Sequence, residues 1–325
     1  MRRLGFFDVG DKLGEGGMGV VYRALDRRSG QDVALKVMNP DFRDDEERRA
    51  RFLCEGQYTQ IVDHPGVLTV HEIGEVHLED GARTLYISLE LAPRDDLMRK
   101  ISRETPTQRW VATIGRRLAE ALDAVHRHDL VHRDVKPGNV LLVGDDHPKL
   151  IDFGLAATSA VGAKESSGGD LDAARLGPSF KTAAGSVVGT PGYAAPEQLR
   201  GDPVDGRADL YSLGSTLFQM LTGGLPFAGD TAAELLERID AQGSDGVFRQ
   251  LVERAPGVSV RLARLTAALM EPDRERRPRD ASAVAAALRA LEEDDDELDR
   301  TLGETVDETA ISESAWMRLK QWWRT

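Results

Sequence analysis

Three glycines near the N-terminus have a spacing that is suited to binding phosphate. They lie in the segment LGEGGMGVVY, residues 13–22, as Gly14, Gly16 and Gly19, with Val21 two residues later. Glycines at this spacing let the backbone turn tightly and approach phosphate oxygens that a Cβ atom would exclude. Because dinucleotide-binding folds and lids over a single nucleotide share this spacing, the glycines alone predict a phosphate site without defining its type.

The residues after the glycines distinguish these two kinds of site. A dinucleotide fold needs a helix directly after the glycines and an acidic residue about 20 positions on. Residues 20–38 instead alternate with period two around the polar segment DRRSGQ, which is typical of two strands joined by a turn. In the second strand Ala34, Lys36 and Met38 share one face. Lys36 can therefore neutralise phosphate charge, although a lysine on an exposed strand edge would show the same pattern.

The pattern of the chain changes near residue 100. Up to about residue 90, short alternating runs predict strands, interrupted by one helix over residues 46–62. From residue 106 on, amphipathic runs predict mainly helices. A β-rich half followed by a helical half predicts an α+β protein with two lobes and a ligand in the cleft between them.

Further motifs occur in a fixed order along the second half. HRDVKPGN occupies residues 132–139, DFG follows at 152–154 and APE at 195–197. With LGEGGMG, they make the sequence similar to eukaryotic-type (Hanks-type) protein kinases, specifically the bacterial serine/threonine group. The resemblance covers residues 6–291. It implies a two-lobed protein kinase fold, with a small β-rich N-lobe over 6–91 that carries one regulatory helix and a larger helical C-lobe over 97–291. It also implies transfer of the γ-phosphate of ATP to serine or threonine hydroxyls of proteins.

The resemblance assigns roles to the polar residues of these motifs. Asp134 matches the aspartate that orients the substrate hydroxyl and takes its proton, and Lys136 matches the lysine that contacts the transferring phosphate. Asn139 and Asp152 match the ligands of Mg²⁺, or of Mn²⁺ in its place. His132 is expected to support the loop rather than act as a base.

The nucleotide site implied by the resemblance combines the glycine loop, the lysine strand and the connector between the lobes. Glu55 is expected to pair with Lys36, ahead of Glu46 and Glu47, which lie near the helix start where acids are favoured anyway. The expected nucleotide-binding residues are Leu13, Gly14, Glu15, Gly16, Gly17, Met18, Gly19, Val20, Val21, Ala34, Lys36, Glu55, Leu89, Glu90, Ala92 and Leu141.

Gly56, next to Glu55, is unusual because a glycine inside a helix costs about 1 kcal/mol relative to alanine. One hypothesis is that this helix packs closely or yields as the lobes close. The alternative is that the glycine is merely tolerated.

The resemblance also predicts control by phosphorylation of the segment between Asp152 and Glu197. Arg133 matches an arginine that pairs with a phosphate on this segment. Autophosphorylation between two copies would need a transient homodimer. The candidate phosphosites, in order of preference, are Thr182, Ser186 and Ser179.

Other residues of this region are expected to have supporting roles. Glu197 and Arg277 match a buried ion pair that anchors the segment, and Asp209 matches an aspartate that braces the catalytic loop. Thr190 is expected to contact the catalytic aspartate rather than accept phosphate.

Composition places limits on the function. The 325-residue chain has a net charge of −13, which argues against a nucleic-acid binder. Residues 292–313 hold eleven acidic side chains and one basic side chain, so most of the charge lies there. Cys54 is the single cysteine, which excludes an intrachain disulfide and fits a reducing compartment. Because no stretch is long and apolar enough for a membrane span or a signal peptide, we expect a cytoplasmic protein.

The C-terminal stretch has two parts. Residues 292–314 are acidic and lack an apolar stripe, which predicts a disordered, solvated tail. Residues 315–325, AWMRLKQWWRT, place three tryptophans on one face of a short basic helix. That segment is expected to dock on a partner or on a membrane surface, or to fold back onto the kinase itself.

Two alternatives to an active protein kinase remain open. A pseudokinase scaffold would bind nucleotide without turnover and would be favoured by loss of Lys36, Asp134, Asn139 or Asp152, all of which are present. A small-molecule kinase of the same fold is disfavoured by GTPGYAAPE, which resembles a segment that receives protein substrates.

Overall fold

The N-terminal third of the chain folds into one antiparallel sheet with a single helix packed on it. The computed structural model describes residues 2–77, 82–93, 95–144, 146–153, 157–158 and 191–293. The strands follow the order β1-β2-β3-β4-β6-β5 across the sheet. Their bounds are β1 Arg2–Leu4, β2 Phe7–Gly16, β3 Gly19–Asp26, β4 Gln31–Met38, β5 Val70–His77 and β6 Arg83–Glu90, and the helix is α1 Glu46–Ile61.

The pairing of β3 with β4 decides which side chains face α1. Val21 lies opposite Lys36, and Val20 lies opposite Val37. Residues directly opposite each other in an antiparallel pair share a face. Since Lys36 reaches a side chain of α1, Val21 lies on the α1 side of the sheet and Val20 on the other side.

The sheet begins earlier than the sequence predicts. β1 pairs with the first residues of β2 through Leu4 and Phe7, which are both buried. The sheet therefore includes residues before residue 6, where the domain is predicted to begin.

The glycines between β2 and β3 serve two different purposes. A Cβ atom on Gly19 would lie 2.3 Å from the carbonyl oxygen of Val37, so the close approach of β3 to β4 requires glycine. A Cβ atom on Gly14, Gly16 or Gly17 would have no heavy atom of the described residues within 4 Å. None of these four glycines has a positive φ angle. Gly19 is therefore required by close packing, whereas Gly14, Gly16 and Gly17 leave open space beside the backbone. None of them is explained by an unusual backbone conformation.

α1 is fixed at its start and packed tightly in its middle. The Asp45 carboxylate accepts the backbone N–H of Arg48 at 3.0 Å and so caps the helix. Gly56 faces the sheet, where a Cβ atom would lie 2.9 Å from Cδ1 of Ile73 and 3.1 Å from Cδ1 of Ile87. This contact favours the close-packing explanation of Gly56 over mere tolerance.

Helices form most of the remaining described chain. Their bounds are α2 Leu97–Arg103, α3 Gln108–His126, α4 Pro196–Arg200, α5 Gly206–Thr222, α6 Ala232–Arg254, α7 Val260–Leu269 and α8 Ala281–Glu293. Thirteen of the 17 residues of α5 are buried, so this helix forms the centre of the C-lobe core. The helix begins at the Asp205 cap and ends at Gly223, which has a φ of 75°.

Four short strands lie between α3 and α4. They are β7 Leu130–Val131, β8 Val140–Val143, β9 His147–Leu150 and β10 Ala157–Thr158. β9 also contacts the segment that follows α1: the Leu68 N–H donates to the Leu150 carbonyl at 3.1 Å, and the Leu150 N–H donates to the Gly66 carbonyl at 2.8 Å. The two lobes are therefore joined by backbone hydrogen bonds as well as by the connector after β6.

The predicted α+β architecture, with a β-rich first half and a helical second half, is confirmed. The prediction of an acidic tail from residue 292 is wrong for its first two residues, because α8 continues to Glu293. Glu292 is held there by Arg116, whose Nε donates to its carboxylate at 2.8 Å. Among these helices, α6 continues beyond a local break at Gly243.

We expect Gly19→Ala to destabilise the protein by about 1–3 kcal/mol, because the added methyl group would collide with the backbone of β4. Thermal unfolding followed by circular dichroism measures the effect. Gly17→Ala is the matched control, since its methyl group would enter open space, and we expect it to change stability by less than about 0.5 kcal/mol. Equal melting temperatures for the two variants would contradict this account of Gly19.

Candidate active site

Lys36 and Glu55 form an ion pair between β4 and α1. The Lys36 ammonium donates to Oε1 of Glu55, and the two side chains are only 15% and 9% exposed. Burial disfavours the charged form of Lys36, but the carboxylates of Glu55 and Asp152 outweigh it and raise its pKa. Lys36 is therefore a fixed positive charge on the side of the sheet that faces α1, which we call the inner face. The rival acid Glu47 pairs with Arg51 instead.

Asp134 lies at the centre of a cluster that the HRDVKPGN segment builds by itself. The Lys136 ammonium donates to both carboxylate oxygens of Asp134, at 2.9 and 2.7 Å. The side-chain amide of Asn139 donates to the Asp134 carboxylate at 2.8 Å and to its backbone carbonyl at 2.9 Å. A short 3₁₀ turn, Pro137–Asn139, brings these residues together.

Asn139 and Asp152 carry oxygens of the kind that a hard divalent cation prefers. Because the amide nitrogen of Asn139 is used by Asp134, its amide oxygen is oriented away as an acceptor. Asp152, which is exposed and close enough to raise the pKa of Lys36, supplies a carboxylate. No cluster of three or more His, Cys, Asp or Glu side chains suited to a metal occurs among the described residues. Amide and carboxylate oxygens are nevertheless ligands of the kind that Mg²⁺ accepts, since Mg²⁺ keeps several waters and binds substrate phosphates.

A buried carboxylate positions residues 132–139, the catalytic loop. Asp209, on α5, is fully buried and accepts the backbone N–H groups of His132 at 2.9 Å and of Arg133 at 2.7 Å. The ring of His126, at the end of α3, lies 2.8 Å from the same carboxylate. Burial alone would raise the pKa of Asp209, but His126 and His132 outweigh it and hold the pKa below its usual value. Asp209 thus braces the loop as a carboxylate.

The contacts of His132 support the structure of the loop. It is completely buried, its Nε2 lies 3.1 Å from the Ile151 carbonyl, and its ring centroid is 4.6 Å from that of Phe153. These contacts leave the ring inside the core, where it joins the catalytic loop to the segment that carries Asp152.

Arg133 has an unusual backbone and a partly buried charge. Its φ is 67°, in the left-handed region, and burial lowers the pKa of its guanidinium despite the nearby Asp209. Nε of Arg133 is buried and has no hydrogen-bond partner among the described residues. The side-chain amide of Gln198 donates to the Arg133 carbonyl at 2.9 Å, which ties α4 to the catalytic loop.

Glu197 and Arg277 form a buried, two-bonded ion pair. Two guanidinium nitrogens of Arg277 donate to the two carboxylate oxygens of Glu197, at 2.7 and 2.8 Å. Arg277 also donates to the backbone carbonyls of Glu271 and Arg207, at 2.8 and 2.9 Å, and lies over the ring of Tyr211. These contacts satisfy the buried charge and fix the start of α4.

The expected adenine end of the site lies where β6 leaves the sheet. Leu89 pairs with Ala34 across β4 and β6, on the strand that carries Lys36. The Glu90 N–H donates to the Thr69 carbonyl at 2.9 Å. On the C-lobe side, Leu141 lies in β8. Ala92 follows β6 in the connector and is half-buried.

Two residues of the predicted nucleotide set face elsewhere. Val20 lies on the side of the sheet opposite to Lys36, where it lines a cavity with Val37. Glu15 pairs with Val20 in the register and its carboxylate contacts Lys12 at the surface. Their side chains therefore point away from the inner face, whereas Val21 shares that face with Lys36.

Other predictions concern residues outside the described part of the chain. These are the candidate phosphosites Thr182, Ser186 and Ser179, the Thr190 contact and the C-terminal segment 315–325. In contrast, His126 and Gln198 were not predicted as site residues. His126 is separated from Asp209 by 83 positions, and Gln198 from Arg133 by 65, so no local pattern connects them.

The family model for the protein kinase domain matches residues 7–288. This chain belongs to the protein kinase family. Three features described above lie within the matched residues. They are the Lys36–Glu55 ion pair, the cluster around Asp134 and the buried Glu197–Arg277 pair.

Bacterial serine/threonine kinases are among the similar proteins. The kinase is 36% identical over 223 residues to serine/threonine-protein kinase PknA of Mycobacterium tuberculosis, covering 68% of this chain and 47% of that protein. It is 35% identical over 285 residues to PknJ of the same species, covering 86% and 44%. It is 32% identical over 304 residues to pkn3 of Myxococcus xanthus, covering 92% and 52%. The chain thus spans about half the length of these relatives.

None of the helices in the described part of the kinase combines the length and the apolar character that a membrane span requires.

The pKa of Asp209 leads to a prediction about pH. A carboxylate whose pKa is lower in the folded state contributes stability that is present above its unfolded pKa of about 3.9 and is lost as the pH falls through the folded value. We expect Asp209→Asn to be less stable than the parent at pH 7 and the difference to shrink below about pH 4. Urea unfolding at both pH values measures it, with the exposed Asp230→Asn as control. A pH-independent difference would contradict this role of the charge.

The buried ion pair leads to a second prediction. Arg277→Met leaves the Glu197 carboxylate buried without its partner, and we expect a loss of about 3–5 kcal/mol in the free energy of unfolding. The double variant Glu197→Met/Arg277→Met removes both charges and should be more stable than the single variant. Chemical unfolding measures which of the two variants is more stable. If only the double variant can be recovered in a folded form, that result would support the same order. A double variant no more stable than Arg277→Met would disprove it.

Proposed function

We propose that this kinase domain transfers the γ-phosphate of ATP to serine or threonine hydroxyls of protein substrates. The observation that carries the proposal is the cluster in which Lys136 and Asn139 both donate to the Asp134 carboxylate. The similar proteins PknA and PknJ, which are named serine/threonine-protein kinases, support the same reaction. Because the chain spans about half of each relative, its substrates and partners belong to the proposal as well.

ATP would bind at the inner face of the sheet. The open space beside Gly14 and Gly16 would take phosphate groups, and Lys36, held by Glu55, would neutralise their charge. Apolar contacts to the adenine would come from Val21, Ala34, Leu89 and Leu141.

The connector would bind the polar edge of the adenine. Because the Glu90 N–H already donates to Thr69, we expect the Glu90 carbonyl to accept from the adenine amino group. The Ala92 N–H would then donate to the ring. This division of roles makes the contact a pair of backbone hydrogen bonds that does not depend on side chains.

The residues of the catalytic loop would perform the transfer. Asp134 orients the substrate hydroxyl and accepts its proton while the oxygen attacks the γ-phosphorus, and the bond from the γ-phosphorus to the β,γ-bridging oxygen breaks to release ADP. Lys136 stabilises the negative charge on the transferred group, and its contact with Asp134 keeps both in position. Asn139 and Asp152 would hold Mg²⁺ or Mn²⁺, which supplies neutralisation of phosphate charge when it is bound.

Regulation by phosphorylation belongs to the same proposal. The partly buried guanidinium of Arg133 is suited to a phosphate on the segment after Asp152. Thr182 and Ser186 are the proposed acceptors, and transfer between two copies would proceed through a transient homodimer. Mass spectrometry of the kinase after incubation with ATP identifies the modified residues.

Phosphate incorporation from labelled ATP with Mg²⁺ tests the catalytic role of Asp134. We expect Asp134→Asn to lower the rate at least about 100-fold, the usual size of a general-base contribution. The exposed Asp230→Asn should retain the parent rate. Equal incorporation by the parent and Asp134→Asn would refute the assignment.

Nucleotide binding is measured separately, by the rise in melting temperature with ATP and Mg²⁺. We expect both variants to show the rise of the parent protein, since Asp134 acts on the substrate hydroxyl. Binding without any incorporation by the parent protein would point to a scaffold instead of an enzyme.

A further inference from the structure

A second cavity of about 380 Å³ lies in the C-lobe and includes none of the residues of the proposed active site. Its wall is formed by α2 and the segment that follows it, the end of α5, and the end of α6 with the two residues after it. The lining residues are Ile101, Thr105, Pro106, Met220, Leu221, Thr222, Gly223, Arg254, Ala255 and Pro256. The wall is mostly apolar and contains one charged side chain, Arg254.

The described partners of Arg254 are all uncharged. Its guanidinium donates to the Leu225 carbonyl at 3.1 Å and to the side-chain oxygen of Gln250 at 3.3 Å, and it lies 5.1 Å from the centre of the Phe218 ring. A cation with these partners, at the edge of an apolar cavity, is complementary to a segment that carries both carboxylates and an apolar side chain.

The end of α8 lies close to this cavity. Nη1 of Arg109, at the start of α3, donates to the Glu292 carbonyl at 3.0 Å. The neighbouring Gln108 donates to the Gly257 carbonyl at 2.8 Å and accepts from the Ser259 N–H. The start of α3, residues 257–259 and the end of α8 therefore meet at one junction.

The cavity wall belongs to the same junction. Pro106 precedes Gln108 by two residues, and Pro256 directly precedes Gly257. The end of α8 therefore lies next to elements that form the wall of the cavity, which carries the charge of Arg254.

We propose that residues 294–299, DDDELD, fold back over this junction, with their carboxylates against Arg254 and with Leu298 in the cavity. The segment follows Glu293 directly, and five of its six residues are acidic. Six extended residues reach about 20 Å, and the segment starts at a helix end that contacts the start of α3.

Such a contact has a characteristic response to salt. Ion pairs at a surface are weak individually and are screened at high ionic strength. We therefore expect the segment to protect the cavity at low salt and to release it at about 0.5 M salt, while the buried Glu197–Arg277 pair holds.

Hydrogen exchange of the full chain, read by mass spectrometry over residues 101–105 and 219–225, tests the proposal. Asp294→Asn/Asp295→Asn/Asp296→Asn should speed exchange there by about five- to tenfold at low salt, and Arg254→Gln should do the same. The matched control Glu304→Gln/Asp307→Asn/Glu308→Gln removes the same charge farther along the tail and should exchange like the parent protein.

A disulfide trap supplies a second measurement. In a Cys54→Ser background, Thr105→Cys with Leu298→Cys should form a disulfide rapidly under mild oxidation, and Thr105→Cys with Val306→Cys should form one slowly. The proposal would be overturned if neither the 294–296 charge variant nor Arg254→Gln changed the rate of exchange. It would also be overturned if the disulfides from positions 298 and 306 formed at equal rates. Either result would leave the cavity to another occupant, such as a protein substrate or residues 315–325.

Discussion

The position of the catalytic loop depends on Asp209, whose carboxylate accepts the backbone N–H groups of His132 and Arg133. Arg133 needs this support, because a left-handed backbone costs a non-glycine residue about 1–2 kcal/mol. Once these two residues are held, the short turn after them brings Lys136 and Asn139 to Asp134. The chemistry proposed for the loop thus rests on a carboxylate that is itself buried on α5.

The inner face of the sheet depends on a comparable constraint. Lys36 is useful only while α1 is close enough for Glu55 to reach it, and Gly56 permits this approach because a larger residue would meet Ile73 and Ile87. Asp152 adds to the field that keeps Lys36 charged, so the two lobes influence one another through electrostatics as well as through packing.

Two contacts of α4 connect the catalytic loop to the base of the C-lobe. Gln198 holds the Arg133 carbonyl, while its neighbour Glu197 is held by Arg277. A displacement of α4 would therefore also shift Arg133, which directly precedes Asp134. The family resemblance predicted the ion pair, whereas the Gln198 contact emerged only from the folded arrangement.

The sequence by itself determined the hairpin after the glycines, the two-lobed α+β fold and the motif residues, because each depends on spacing within a few tens of residues. It was also sufficient to favour Glu55 as the partner of Lys36. Only the tertiary structure decided that Val21 rather than Val20 faces the site, that Gly19 is required by a neighbouring strand, and that α8 continues to Glu293. Contacts such as His126 with Asp209 join residues far apart in the chain. Their geometry follows from how whole helices and strands pack, which no local pattern specifies.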